Sequence, residues 1–268
     1  MELYGLLGES LKHSISPLIH SAIFKEIMVD GTYELFEIGK GEVENTINRF
    51  KDIGVVGVNV TIPYKTTVMR CIDEISDEAK KIGAVNTICF KNKKTIGYNT
   101  DYTGFGMMLE KNDIDIYNKK AVILGSGGAA KAVIQYLLDS GIGEMTIASR
   151  GANKVEDIHK KKEFNIISYA ELSHLTEKDL IINCTPCGMY PNVDSCPIQK
   201  SSIAKFSTVI DLIYNPKETM LLKRAKELNM KAVNGLYMLI GQAIAAQELW
   251  KDIKIENNII DSVYERLR

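Results

Sequence analysis

The sequence predicts an α/β fold with two domains, each built around a mainly parallel sheet. Short apolar runs alternate with segments of helical periodicity along nearly the whole chain, which is typical of βαβ units. A glycine-rich turn at residues 125–130 follows an apolar run and precedes an apolar helical segment, which indicates a dinucleotide-binding unit of the Rossmann type. The length of 268 residues suits about two domains.

The first domain begins with a predicted strand at residues 3–8. We expect Ser16 and Pro17 to be the N-cap and the first residue of a helix, because serine caps helices and proline tolerates their first position. A run rich in β-branched valine predicts a buried strand at residues 55–60. Pro63 lacks a backbone donor and ends that strand. Further strands are predicted at residues 32–37 and 84–90.

A polar stretch at residues 111–120 marks the passage to the second domain, and we place the boundary near Asp101. From residue 121 the order of strand, glycine-rich turn, helix and strand begins again, which predicts a second α/β unit. The chain ends in helical segments with no strand after them. The predicted elements are residues 121–124, 132–138, 145–148, 180–183, 236–250 and 257–268.

Charge and composition exclude several classes of protein. The 33 basic and 34 acidic residues give a net charge of −1, so we expect no nucleic-acid partner and no membrane partner. The first residues lack the basic segment of a signal peptide, and no apolar run reaches the roughly 18 residues of a transmembrane helix. Five cysteines, an odd number, suit a reducing compartment. We expect a cytoplasmic monomer or homodimer that acts on a small molecule.

The glycine-rich turn matches the pattern G-x-G-x-x-A. The first glycine permits a tight turn, the second lets the backbone approach a pyrophosphate, and the small Ala130 allows close helix packing. The phosphates then lie at the N-terminus of the helix. The alternative is a tight turn between strand and helix that binds nothing. The predicted cofactor-binding residues of the turn are Gly125, Ser126, Gly127, Gly128 and Ala129.

The end of the next strand favours NADP over NAD. An NAD-binding unit usually has an acidic residue about 20 positions beyond the glycines, but the chain has Ser149 and Arg150 there, with Lys154 four residues on. A guanidinium can contact the 2′-phosphate of NADP with two hydrogen bonds, whereas a carboxylate would repel it. The alternative is a pair of exposed basic residues without a ligand.

Lys65 and Asp101 are the candidates for proton transfer. Asn59 and Thr61 lie two residues apart, so they share one face of the predicted strand, and Lys65 follows just past the turn at Pro63. A lysine near neutral hydrogen-bonding groups and a carboxylate suits acid-base chemistry. The alternatives are an ordinary solvated lysine and, for Asp101, a helix N-cap.

Metal and disulfide chemistry receive little support from the sequence. Cys184 and Cys187 form a C-x-x-C pair with Cys196 and His174 not far away. No second C-x-x-C exists, and the pair follows a late strand and does not open a helix. We therefore predict no metal site.

Taken together, the motifs resemble those of the shikimate dehydrogenase family, collinearly and over essentially the full length. The chain has His20-Ser21 where the family often has His-Asn, and Ser149-Arg150-Gly151 where it has N-R-T or N-R-S. The matching segments are residues 14–17 (S-x-S-P), 59–65 (N-V-T-x-P-x-K), 83–87 (G-A-x-N-T), 97–101 (G-x-N-T-D), 183–189 (N-x-T-P-x-G-M), 211–216 and 235–242.

The resemblance implies reduction of 3-dehydroshikimate to shikimate by NADPH, a step of aromatic amino-acid biosynthesis. It implies a substrate domain of residues 1–101 completed by 236–268, and a cofactor domain of residues 102–235. Tyr237 replaces a usually small residue, and its ring either packs outward or crowds the nicotinamide. The alternatives are a quinate/shikimate dehydrogenase using NAD and a dinucleotide-binding sensor without catalysis.

The resemblance also implies roles for individual residues. The substrate carboxylate would be held by Ser14, Ser16 and Tyr214. Ring hydroxyls would be bound by Asn59, Thr61, Asn86 and Gln242, while Lys65 and Asp101 would form the proton-transfer pair. Thr185 and Gly235 would line the cofactor side.

Overall fold

The computed structural model describes residues 1–150 and 164–268, which divide into two compact units. The first unit comprises Met1–Gly104 and Ile240–Arg268, and the second comprises Phe105–Leu239. Each unit contains a six-stranded sheet with helices, which confirms the predicted α/β fold class. Among the described helices, none is long and apolar enough to cross a bilayer.

The sheet of the first unit has the strand order β2-β1-β3-β5-β6-β4. Tyr4 and Leu6 of β1 pack with Trp250 on one face, while Leu7 packs with Ile47 on the other. Both faces are therefore apolar and covered, as is usual for parallel strands. The elements are β1 (Glu2–Gly8), α1 (Ser16–Glu26), β2 (Gly31–Glu37), α2 (Val43–Ile53), β3 (Gly57–Val60), β4 (Glu74–Ile75), α3 (Asp77–Ile82), β5 (Thr87–Lys91) and β6 (Lys94–Tyr98).

This first sheet is mixed, because β5 runs antiparallel to both β3 and β6. From the sequence we predicted one strand over residues 84–90 and no further strand before residue 121. In the structure β5 and β6 form a hairpin whose turn residues, Asn92 and Lys93, have positive φ values of 52° and 62°. Two successive positive φ angles are the requirement of a type I′ turn, which favours such tight hairpins.

Two predicted helix caps are wrong. Helix α1 begins at Ser16 itself, with Ile15 in the capping position and no side-chain cap, so Ser16 is not the N-cap. Helix α4 (Thr100–Lys111) begins one residue before Asp101, which therefore lies in the first turn of the helix. Both side chains instead make hydrogen bonds to residues distant in sequence or to the preceding loop.

The second unit contains a parallel sheet with the order β12-β11-β10-β7-β8-β9. If β7 is numbered 1 and the sheet is read from β9 to β12, the strand order is 3-2-1-4-5-6, as in a Rossmann fold. In such a fold ligands bind at the point where the strand order reverses. That reversal lies between β7 and β10. The elements are β7 (Lys120–Leu124), α5 (Gly128–Asp139), β8 (Glu144–Ala148), β9 (Asn165–Ile167), β10 (Leu180–Asn183), α6 (Lys200–Ile203), β11 (Thr208–Asp211), α7 (Met220–Glu227) and β12 (Lys231–Asn234).

The chain ends in two helices, α8 (Leu236–Lys251) and α9 (Asn257–Leu267). Trp250, near the end of α8, anchors this helix to the first unit. Its indole Nε1 donates to the carbonyl of Ile88 at 3.0 Å. Lys251 forms an ion pair with Glu2 at 2.7 Å. The C-terminal helices therefore complete the unit that contains the N-terminal residues.

Candidate active site

Lys65 and Asp101 form a close ion pair in the first unit. Lys65 Nζ lies 2.5 Å from Asp101 Oδ2, and the two side chains are only 15% and 10% exposed. A charge-assisted hydrogen bond in such a sheltered place is stronger than one in water. This Lys65 is therefore unlike an ordinary solvated lysine, and the pair can hold and exchange a proton.

The turn after β3 presents Lys65 toward that partner. Tyr64 donates its backbone N–H to Thr61 O at 2.9 Å, closing the turn. The Tyr64 ring is buried, and its hydroxyl donates to Ile38 O at 2.8 Å. The Lys65 carbonyl accepts from the backbone N–H of Val85 at 2.8 Å. The backbone of the lysine is thus held by the turn that precedes it and by the segment that contains Val85.

Asn86 holds the second oxygen of the carboxylate. Its Nδ2 donates to Asp101 Oδ1 at 2.8 Å, while its Oδ1 accepts from the backbone N–H of Thr100 at 2.7 Å. The antiparallel course of β5 places its first residue beside the end of β3 and the end of β6. For this reason the asparagine and the aspartate meet at one edge of the sheet.

Asn59 belongs to the same buried network. Its Oδ1 accepts from the Tyr33 hydroxyl at 2.8 Å, and its Nδ2 donates to Thr87 Oγ1 at 3.0 Å. Neither Tyr33 nor Thr87 was given a role from the sequence. The N-T pair of the third motif could have directed attention to Thr87, whereas nothing local distinguishes Tyr33, which comes from β2.

Ser14 and Ser16 lie at the N-terminus of α1. The Ser14 hydroxyl donates to Ser16 Oγ at 3.1 Å and accepts from the Ser16 backbone N–H at 3.2 Å. The free backbone donors and positive end of a helix favour an anion such as a carboxylate.

The remaining predicted substrate residues occupy separate elements. Thr61 is half-buried directly after β3, with its backbone N–H donating to Leu7 O at 2.9 Å. Gln242 is buried in the part of α8 that belongs to the first unit. Tyr214 is half-buried after β11 and belongs to the second unit.

The glycine-rich turn of the second unit has the conformation that its sequence requires. Gly125 has φ 101°, and an added Cβ would approach Thr185 Cγ2 to 2.9 Å, so a larger residue would be strained. Gly127, just before α5, has no atom within 4 Å of such a Cβ, which leaves open space at the helix N-terminus. This arrangement suits a pyrophosphate, because backbone donors of the helix face an accessible anion site.

The ends of the neighbouring strands add polar groups to this edge. Ser126 Oγ lies 3.2 Å from Ser149 Oγ, and Arg150 follows as an exposed residue. Gly235 follows β12, where its backbone packs so closely that a Cβ would lie 2.0 Å from Leu212 O. Lys154, which we also predicted to contact the 2′-phosphate, lies outside the described residues.

A buried carboxylate organises the loops after β10 and β11. Asp211 accepts from Asn183 Nδ2 at 3.0 Å, from the Thr219 hydroxyl at 2.6 Å and from the backbone N–H of Ile213 at 3.1 Å. Asn183 Oδ1 in turn accepts from the Thr185 hydroxyl at 2.7 Å. Burial raises the pKa of Asp211 to about 6, partly offset by these donors. Asn183 and Asp211 belong to motifs recognised in the sequence, but no role was predicted for either of them.

The cysteine pair lacks the character of a redox site. All five cysteines are free thiols. Burial raises the pKa of Cys184 and of Cys187 above the ordinary value, whereas reactive cysteines have lowered values that favour the thiolate.

Tyr237, whose ring could either pack outward or crowd the nicotinamide, is buried, and Lys111 Nζ lies 5.7 Å from its ring centroid. Its ring therefore does not point outward into solvent.

Two family models match most of the chain. The model described as "Shikimate dehydrogenase substrate binding domain" matches residues 6–88, and the one described as "Shikimate / quinate 5-dehydrogenase" matches residues 108–211. The matched segments contain Ser14, Lys65 and Asn86 in the first case and the glycine-rich turn in the second. Each model thus falls largely within one unit of the structure.

Curated relatives and solved structures agree with these models. A Clostridium perfringens (strain SM101 / Type A) protein named shikimate dehydrogenase (NADP(+)) is 47% identical over 268 residues, covering 100% of this chain and 99% of the relative. A chorismate mutase/shikimate 5-dehydrogenase fusion protein from Clostridium acetobutylicum is 49% identical, with a TM-score of 0.95 and coverage of 100% and 97%. Shikimate 5-dehydrogenase from Listeria monocytogenes, in complex with shikimate and NAD, is 30% identical, with a TM-score of 0.87 and coverage of 100% and 96%.

Proposed function

Since this chain belongs to the shikimate dehydrogenase family, we propose that it reduces 3-dehydroshikimate to shikimate with NADPH, reversibly. The observation that carries the proposal is the sheltered ion pair of Lys65 and Asp101, with Nζ and Oδ2 2.5 Å apart. The name of the Clostridium perfringens relative supports the same reaction and the same nucleotide.

In this proposal Lys65 transfers the proton and Asp101 orients the lysine. Reduction of the ketone needs a hydride on the carbonyl carbon and a proton on the carbonyl oxygen. NADPH supplies the hydride when bound. Lys65 Nζ donates the proton to the oxygen, and in the reverse direction it accepts the hydroxyl proton. Asp101 keeps the ammonium oriented and stabilises its positive charge before the transfer.

Substrate recognition then rests on neutral side chains of the first unit. Ser14 and Ser16 at the N-terminus of α1 would bind the carboxylate, with Tyr214 as a further partner. Asn59, Thr61, Asn86 and Gln242 would hydrogen-bond the ring hydroxyls. A site of this kind rejects analogues that lack a hydroxyl, because its buried polar groups would be left unpaired.

The second unit would hold the nucleotide. The open space at Gly127 and the N-terminus of α5 suit the pyrophosphate. Ser126, Ser149 and Arg150 would contact the 2′-phosphate, Thr185 and Gly235 would line the nicotinamide side, and Lys154 is proposed on its sequence position alone. The first unit is accordingly the substrate domain and the second the cofactor domain. A monomer or homodimer in the cytoplasm stays our expectation from composition.

A panel of substrates and nucleotides tests the proposal. Purified protein is assayed for reduction of NADP and NAD with shikimate and with quinate, following absorbance of the reduced nucleotide. We expect turnover to be fastest with shikimate and NADP. Preference for quinate with NAD would favour the alternative enzyme, and binding of NADPH without turnover of any substrate would favour a sensor. The NAD-bound Listeria relative makes the nucleotide comparison essential.

A further inference from the structure

Thr87 lies at the centre of the buried hydrogen-bond network of the first unit. It is the first residue of β5, and its side chain is fully buried. Its hydroxyl donates to Asn86 Oδ1 at 2.9 Å, accepts from Asn59 Nδ2 at 3.0 Å and lies 2.9 Å from Thr100 Oγ1. The described contacts of this one hydroxyl therefore include two of the residues proposed to bind substrate.

The donors and acceptors of this network fix the direction of the Asn86 amide. A threonine hydroxyl has one proton to donate and two lone pairs. Thr87 is a closer donor to Asn86 Oδ1, at 2.9 Å, than the Thr100 hydroxyl, at 3.2 Å. The backbone N–H of Thr100 donates to the same oxygen. If the amide were rotated by half a turn, its NH₂ group would face these donors, and Oδ1 would face the carboxylate of Asp101.

We propose that Thr87 is a positioning residue for the proton-transfer pair: its hydroxyl, together with the backbone N–H of Thr100, orients the Asn86 amide so that Nδ2 is presented to Asp101. The hydrogen bond from Nδ2 occupies Asp101 Oδ1, which leaves Oδ2 for Lys65. Thr87 itself touches neither member of the pair in the described contacts, so it acts through Asn86.

A second consequence concerns Asn59. Its Nδ2 has Thr87 Oγ1 as its closer acceptor, since the alternative, Asn86 O, lies 3.4 Å away. Removing the hydroxyl of Thr87 therefore leaves a buried amide N–H poorly satisfied and loosens a second asparagine of the site. The inference rests on the proposed function, because the positioned groups are those assigned to proton transfer.

The test compares Thr87→Val, which keeps the shape and removes the hydroxyl, with Thr87→Ser, which keeps the hydroxyl. For Thr87→Val we expect kcat to fall roughly 10-fold, the scale of one oriented hydrogen bond, and KM for shikimate to rise, because Asn59 loses its closer acceptor as well. Thr87→Ser, which keeps the hydroxyl, should restore both values.

Thr95→Val is the matched control. Thr95 is also fully buried, in the adjacent strand β6, and its hydroxyl donates to Asp73 Oδ2 at 2.8 Å, away from Lys65 and Asp101. We expect it to lower thermal stability without lowering kcat. A wild-type kcat in Thr87→Val would overturn the inference, as would an equal fall in kcat for Thr95→Val. If Thr87→Val does not fold, Thr87→Ala replaces it with the same expectations.

A readout without turnover separates this inference from the proposed function. In ¹⁵N NMR spectra, the Asn86 side-chain amide, assigned by its loss in Asn86→Asp, should give two slowly exchanging proton signals in the wild type and in Thr87→Ser. In Thr87→Val these signals should broaden or exchange quickly. Unchanged signals would refute the positioning role even if the enzyme were active. Absence of shikimate turnover in the wild type, with the signal change present, would refute only the proposed reaction.

Discussion

Asp211 makes the stability of the second unit dependent on pH in an unusual direction. Its carboxylate is buried, and hydrogen bonds from Thr219, Ile213 and Asn183 are its described partners, with no cation among them. Burial raises its pKa from 3.8 to about 6. The folded state therefore binds a proton more tightly than the unfolded state. Stability from this group is fully present below pH 3.8 and is lost as pH rises through about 6.

The size of the effect follows from the two pKa values. The difference between 3.8 and about 6 corresponds to about 3 kcal/mol of stability, of which about 2 kcal/mol falls between pH 4 and pH 7. Asp211→Asn keeps an oxygen that accepts from Asn183 Nδ2. Its amide NH₂ replaces the second carboxylate oxygen and can donate to the Thr219 hydroxyl oxygen. The variant should thus remain folded and gain stability relative to the wild type as pH rises.

The assay is denaturant unfolding of both proteins between pH 4 and pH 8. Circular dichroism follows the whole chain, and the fluorescence of the single tryptophan, Trp250, follows the first unit. Asp194→Asn is the matched control, because Asp194 is exposed in the same unit. A stability difference between Asp211→Asn and the wild type that does not change with pH would refute the reasoning. So would an equal pH-dependent difference for Asp194→Asn.

Three further substitutions test the site. Lys65→Ala should lower turnover by roughly 100-fold or more with a smaller effect on shikimate affinity; steady-state kinetics and calorimetry measure both, and an unchanged turnover number would exclude Lys65. Arg150→Ala should weaken NADPH binding by about 1–3 kcal/mol and leave NADH binding nearly unaltered; equal losses in fluorescence titrations would contradict the 2′-phosphate role. Tyr33→Phe leaves Asn59 Oδ1 without its donor, so the free energy of unfolding should fall by about 1–2 kcal/mol and KM for shikimate should rise; wild-type stability and KM would argue against this link.

Much of the second unit could be predicted because its signals are local. The apolar strand, the glycine-rich turn and the following helix lie within twenty consecutive residues, 120–139. Glycine is needed at position 125 because the backbone there has a positive φ, and at position 127 because the space beside it is left open. By contrast, the buried hydrogen-bonding role of Asp211 could not be predicted from its motif, because its partners Asn183 and Thr219 come from two other segments.

The first unit shows where local reasoning failed. The strand β6 was missed because Lys94–Tyr98 is short and its turn, Asn92-Lys93, contains no glycine to mark a hairpin. Without β6 the antiparallel course of β5 could not be foreseen. That course is what brings Thr87 opposite Asn59. The residues proposed for proton transfer could be named from motifs, but the side chains that orient them depend on this pairing.

In the proposed function the two units would achieve recognition by different physical means, and this difference has consequences for substitution. The second unit uses backbone geometry at Gly125 and Gly127, so a larger side chain there introduces strain or fills the open space. The first unit uses buried amides, whose direction depends on hydroxyls such as that of Thr87. We expect a substitution that keeps the shape but removes a hydroxyl to weaken the orientation of these amides, because an asparagine amide has nearly the same shape when it is rotated by half a turn. We therefore expect specificity in the first unit to depend on the direction of hydrogen bonds, and binding in the second to depend on the space left by missing side chains.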